Sequence, residues 1–126
     1  RVLFENDWYV LRELAPGAYE LVRTARPFAD AEEIELAHEQ MTSALEHRRP
    51  RAILVDLRAA PMNNDPAFER SFAGYRTRIV RSAGRAALLV RTKAGRLHAA
   101  RLAREDGVTL ALFEDEPAAR AWLLGR

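Results

Sequence analysis

Cysteine is absent from the 126 residues. Disulfides, thiolate metal sites and cysteine nucleophiles are therefore excluded. Lysine is nearly absent: Lys93 alone among the 20 cationic residues is not arginine. Long apolar runs are missing too. The longest, around Ala86–Val90, is far short of a membrane span, and no secretory leader can be read. Gly74, Gly84, Gly95 and Gly107 stand alone, so no glycine-rich phosphate loop is formed. The chain begins at Arg1 without a methionine, which points to a few missing leading residues. With no span and no leader, a cytoplasmic location is expected.

What is present describes an ordinary globular chain. Hydrophobic residues make up 48% and charged residues 30%, close to the average of soluble domains. The length fits a single domain over 1–126. A chain of this size buries roughly two-thirds of its unfolded surface, enough to fold without staples. The formal charge of +2 hides a polarised distribution. Six acids and no Lys or Arg lie between Asp30 and Glu46, and ten basic residues and no acid between Arg70 and Arg104.

Patterning gives the elements. Val2-Leu3-Phe4 is extended, and Trp8–Leu14 and Ala18–Thr24, separated by Pro16-Gly17, read as an antiparallel strand pair. Asp30 followed by Glu33 resembles a capping box. Ala31, Ile34, Ala37, Met41, Ala44 and Leu45 then give a helical stripe that ends at His47-Arg48-Arg49-Pro50. Ile53–Leu57 is a short apolar run of the kind buried on both faces of a parallel sheet. After the loop Arg58–Asn64, Asp65-Pro66 opens a second helix with Phe68, Phe72, Tyr75 and Ile79 inward and Gly84 at its end. A strand at Ala86–Val90, a helix at Lys93–Arg104, a strand at Val108–Phe113 and a helix from Pro117 to Leu124 complete the chain. Alternating strands and helices predict a mostly parallel five-stranded sheet with four helices and right-handed crossovers.

The catalytic inventory is thin. His38, His47 and His98 lie in helices without metal-ligand spacing and read as helix-surface or boundary residues. Ser43, Ser71 and Ser82 are helical, and none sits on a strand-to-helix elbow. Trp8 and Tyr9 alternate on a strand, which sends one to each face. Neither a metal, a cofactor nor a catalytic constellation is expected.

Two family resemblances bear on function. Asp56, ending Ile53–Leu57 with Pro61 close behind, resembles the phospho-acceptor of response-regulator receiver domains. That family implies an acidic pair ending the first strand and a lysine ending the last, but Val22-Arg23-Thr24 and Phe113-Glu114-Asp115 supply neither. Without a magnesium site the phosphoryl acceptor lacks charge neutralisation. A partnership of Asp56 with local backbone, Arg58 or Arg51 is the simpler reading. The element order, together with Ala52–Leu57 and the ending Leu112–Leu123, instead resembles the SpoIIAA-like (STAS/SEC14-type) small bacterial domains. The resemblance covers nearly the whole chain. It implies a βα superhelix with helices mostly on one face and a regulatory role, with recognition at the loop after the central strand. The phosphorylatable serine of the anti-sigma-factor antagonists of that fold is missing: the corresponding segment reads Met62-Asn63-Asn64-Asp65-Pro66.

The expectation is a non-catalytic domain that binds a protein partner. The candidate contacts are Arg58, Met62, Asn63, Asn64, Arg91, Thr92 and Lys93, at the C-terminal ends of the strands, where open α/β sheets meet their ligands. The alternative is a small apolar ligand or lipid. The Arg70–Arg104 stretch offers an anionic contact surface, with Arg70, Arg76, Arg78 and Arg81 on one helix and Arg96, Arg101 and Arg104 on the next. Specific nucleic-acid readout is not supported, and self-association stays open.

Overall fold

The computed structural model describes residues 1–61 and 66–125, with backbone alone for 66–73. In chain order the elements are β1 (Val2–Glu5), β2 (Tyr9–Ala15), β3 (Ala18–Arg23), α1 (Ala31–Arg48), β4 (Ala52–Asp56), α2 (Pro66–Arg81), β5 (Arg85–Leu89), α3 (Lys93–Asp106), β6 (Ala111–Phe113) and α4 (Glu116–Leu123). The strands make one six-stranded sheet in the order β1-β2-β3-β4-β5-β6. β1, β2 and β3 pair antiparallel, and β3 through β6 pair parallel. The sheet thus has six strands rather than the expected five, because Val2–Glu5 adds to β2 with Phe4 opposite Leu11.

The capping signals act as the sequence implies. The Asp30 carboxylate accepts from Glu33 N at 2.9 Å, satisfying a donor that the first turn leaves free, and Glu33 Oε1 accepts from Ala29 N, just before the cap, at 2.8 Å. At the other end Arg49 takes φ 46°, a left-handed conformation that favours glycine. Thr92 and Asp115 cap α3 and α4, and Gly107 at φ 68° closes α3. This last cap shortens the final strand. Val108 N donates to Ala103 O, so the chain from Val108 is still completing the helix end and pairing begins only at Ala111. Gly84 does not end α2, which stops at Arg81. It lies instead where β5 begins beside β4, and a Cβ there would sit 2.8 Å from Arg51 O.

Side-chain alternation divides the core. Leu11, Tyr19, Leu21, Ile53 and Val55 face α1 and α2 together with Ala37, Met41, Leu45 and Ile79. Ala18, Ala52, Leu54, Ala87 and Leu89 face α4 through Ala119 and Leu123. Complete burial of side chains such as Leu45 and Leu54 contributes about 1.5–3 kcal/mol each. The end of α3 is tied to α2 by Arg76 Nε, which bonds Asp106 at 3.2 Å. Trp8 and Tyr9 do not part to opposite faces. Trp8 precedes β2, in a turn where Asn6 Oδ1 accepts from both Trp8 N and Tyr9 N, so strand alternation does not govern it and both rings enter one cluster. Among the described residues, no helix is long and apolar enough to cross a membrane.

Candidate functional site

The parallel strands end together at Arg23, Asp56, Leu89 and Phe113, and two polar clusters occupy this edge, one on each face of the sheet.

On the α4 face, Asp56 is buried. Arg58 grips it edge-on, Nε to Oδ1 at 3.0 Å and Nη2 to Oδ2 at 2.8 Å, while Arg58 N donates to Oδ1 at 3.0 Å. The carboxylate, hydrogen-bonded to the guanidinium, raises Arg58 above the ordinary arginine value. The chain of charges continues from Arg58 Nη1 to Glu116 at 3.0 Å and from Glu116 to Arg120 at 3.2 Å. It ends with Arg120 to buried Glu20 at 3.0 Å and Arg12 to Glu20 at 3.7 Å. Alternating signs let each buried acid face a cation, which offsets the cost of removing it from water.

On the α1 face, Tyr9, Arg23 and His38 are buried together. His38 Nδ1 lies 2.7 Å from Ile34 O and His38 Nε2 lies 2.8 Å from the Tyr9 hydroxyl. A carbonyl only accepts, so the proton sits on Nδ1, and the Tyr9 hydroxyl donates to Nε2. Burial pushes the imidazole below its ordinary value, with the Arg23 charge acting the same way against the Ile34 carbonyl. Burial also raises the Tyr9 phenol, against the opposing influence of Arg23. Neither group is poised to exchange protons near neutrality. The placement of His38 corrects its reading as a surface or boundary residue. Position 38 follows Ile34 by four residues and precedes Thr42 by four, so it shares the inward side of α1 with the Ala37–Met41–Leu45 row. That spacing was the available signal. Tyr75 of the second-helix stripe stacks on His38 with centroids 4.8 Å apart; the side chains of Phe68 and Phe72 lie outside the described residues.

Of the candidate contacts, Met62, Asn63 and Asn64 also lie outside the described residues. Arg58 is committed to Asp56 and Glu116. Arg91 is exposed and donates to Arg58 O at 3.1 Å. The Thr92 hydroxyl accepts from Gly95 N at 3.0 Å as the α3 cap, and Lys93 is exposed on the first turn. Arg58 and Arg91 therefore meet, across the ends of β4 and β5. The basic stretch is partly neutralised. Arg78 bonds Glu39 and Glu46 of α1, Arg96 pairs with Glu114 and Arg101 with Glu105. Sequence reasoning missed Arg23. Its position at a strand end next to a Thr-Ala-Arg-Pro break resembles any solvent-facing turn.

The fold and this edge define a mixed α/β domain with an antiparallel N-terminal extension and buried, internally compensated charge. Compared with known proteins, the chain matches no family model, no curated protein and no solved structure.

Proposed function

We propose that this chain is a non-catalytic binding domain of STAS/SpoIIAA-like type, acting on a protein partner through the edge where its parallel strands end. The observation that carries this is the ion-paired chain from Arg12 to Asp56. It consumes the buried acids Glu20 and Asp56 in structural pairs, where a phospho-acceptor or a general base needs a free carboxylate. Asp56 as a receiver-like acceptor is disfavoured for the same reason. At the rim of this fixed platform, Arg91 and Lys93 are exposed, and neither forms an ion pair among the described residues. They suit an acidic partner surface.

The test compares the wild-type chain with Arg91→Glu/Lys93→Glu. A partner recovered with the wild type, then purified, should bind the variant at least about tenfold more weakly, since rim charges act on association. Equal affinity at equal thermal stability would place the contact elsewhere. A small apolar ligand or lipid is the second reading. Its place would be an open groove of about 500 Å³ at the opposite end of the sheet, where Arg81, Arg85 and Thr109 share the lining with Val80, Ala83 and Trp122. Native mass spectrometry of the purified chain would reveal such a companion.

A further inference from the structure

The basic stretch Arg70–Arg104 does not act as one surface. Arg78, Arg96 and Arg101 are paired with acids. A different set of arginines is left over: Arg49, Arg51, Arg81 and Arg85 are all exposed, and none forms an ion pair among the described residues. Folding brings them to the edge where the parallel strands begin. Arg49 and Arg51 flank Pro50 between α1 and β4, and Arg81 and Arg85 bracket the connection from α2 to β5. The two connections are bonded side by side, Gly84 N donating to Pro50 O at 3.1 Å and Arg85 N to Arg51 O at 3.0 Å. The C-terminal ends of α1 and α2 attract cations, but each carries only about half a negative charge, so together they offset about one of the four. Glu13, which accepts from Gly17 N at 3.3 Å next to Arg51, offsets one more at most. Positive charge therefore remains on this edge. Beside it lies the open groove of about 500 Å³, lined by Arg81 and Arg85 together with Val80, Ala83, Val108 and Trp122. Arg85 lies over the Trp122 ring at 4.5 Å.

We infer that this edge binds a single-stranded nucleic acid without regard to its sequence, with phosphates on Arg49, Arg51, Arg81 and Arg85 and one base in the groove. Guanidinium groups match phosphate oxygens in geometry as well as charge. Cations spread over two adjacent connections suit a chain of anions better than one small anion. A groove of this size next to them, with an indole in its lining, favours a strand whose bases are free over a duplex whose bases are stacked inside. The exposed large apolar side chains, Val2, Leu36 and Leu97, belong to neither connection, so this edge has no apolar anchor for a bilayer. The surface lies at the other end of the strands from the Arg91–Lys93 rim and does not depend on a protein partner there.

The experiment titrates the whole chain into a fluorescein-labelled oligo-dT of about 12 nucleotides and follows anisotropy at several salt concentrations. The expected Kd is about 10–100 μM at about 50 mM salt, and log K should fall against log salt with a slope of roughly −2 to −3, as three or four phosphate contacts require. Arg51→Gln/Arg81→Gln should make that slope shallower by about 1.4 and weaken binding at low salt at least about tenfold. Arg26→Gln/Arg96→Gln removes the same formal charge from two cations that are already paired, and should change the affinity less than about threefold. Tryptophan emission should change on saturation with unlabelled oligo-dT, and the change should be largely lost in Trp122→Phe, because Trp8 is buried in the core on the α1 side. Absence of binding at about 1 mM protein and low salt overturns the proposal. So does equal or tighter binding of a duplex of the same length, of polyglutamate or of vesicles rich in phosphatidylserine. Equal weakening by the two double variants, or unchanged emission on saturation, overturns it as well. If Arg51→Gln/Arg81→Gln fails to fold, the single variants replace it, each expected to make the slope shallower by about 0.7.

Discussion

His38 makes the stability of this domain depend on pH in a defined window. The folded imidazole is 1% exposed and held in one tautomer by Ile34 O and the Tyr9 hydroxyl. A proton on Nε2 would replace an acceptor with a donor facing another donor. It would also place a charge among the rings of Tyr75 and Phe28 and near the Arg23 guanidinium. Burial is the largest cause of the lowered value, with Arg23 adding to it. In the unfolded chain the ring takes up a proton near pH 6.5. Below that pH the unfolded state binds more protons than the folded one, so stability falls as pH falls; above it the contribution is fully present. If His38 stays neutral in the fold throughout, the loss from about pH 6.5 to 5.5 reaches about 1 kcal/mol. The assay is urea unfolding followed by tryptophan fluorescence, to which Trp8, buried and stacked on Phe28, contributes together with Trp122. At an m-value of about 1.5 kcal/mol/M the midpoint should fall by about 0.7 M. His38→Gln retains hydrogen-bonding capacity without titrating. It should start about 1 kcal/mol less stable at neutral pH and lose less on acidification. Parallel slopes for the two proteins would refute the assignment of this dependence to His38.

Three further substitutions test how the fold is stabilised. Arg49→Gly removes a side chain from a left-handed position at φ 46° and should stabilise by about 1 kcal/mol, a rise in Tm of about 4 °C; a lower Tm would show that the Arg49 side chain outweighs the strain. Arg58→Ala leaves buried Asp56 without its partner and should cost about 2 kcal/mol, reduced from the full penalty of a buried pair because Arg58 is itself 38% exposed. Arg78→Ala breaks two exposed pairs and should cost less than about 1 kcal/mol. Equal losses in urea unfolding would contradict the role given to burial.

Local chemistry made the elements legible. Asp30 with Glu33, the three-and-four spacing from Ile34 to Leu45, the prolines Pro66 and Pro117 at helix starts and the run Ile53–Leu57 each act over a few residues, within reach of caps and periodicity. The alternation of those elements in turn required a parallel sheet. Strand limits were less legible where two local rules competed, as at Val108, whose N–H completes the α3 cap instead of extending β6. The edge clusters were decided only by the tertiary structure. Asp56 and Arg58 are two residues apart and were a nameable pair, but Glu20 and Arg120 are separated by 100 positions, a distance over which sequence spacing carries no geometric information. His38 and Arg23 show the same limit for charge. Whether an imidazole stays neutral, or a buried guanidinium meets a carboxylate, depends on which rings cover it and which acids reach it, and those neighbours come from β2, α1, α2 and the Pro27-Phe28 segment brought together by folding.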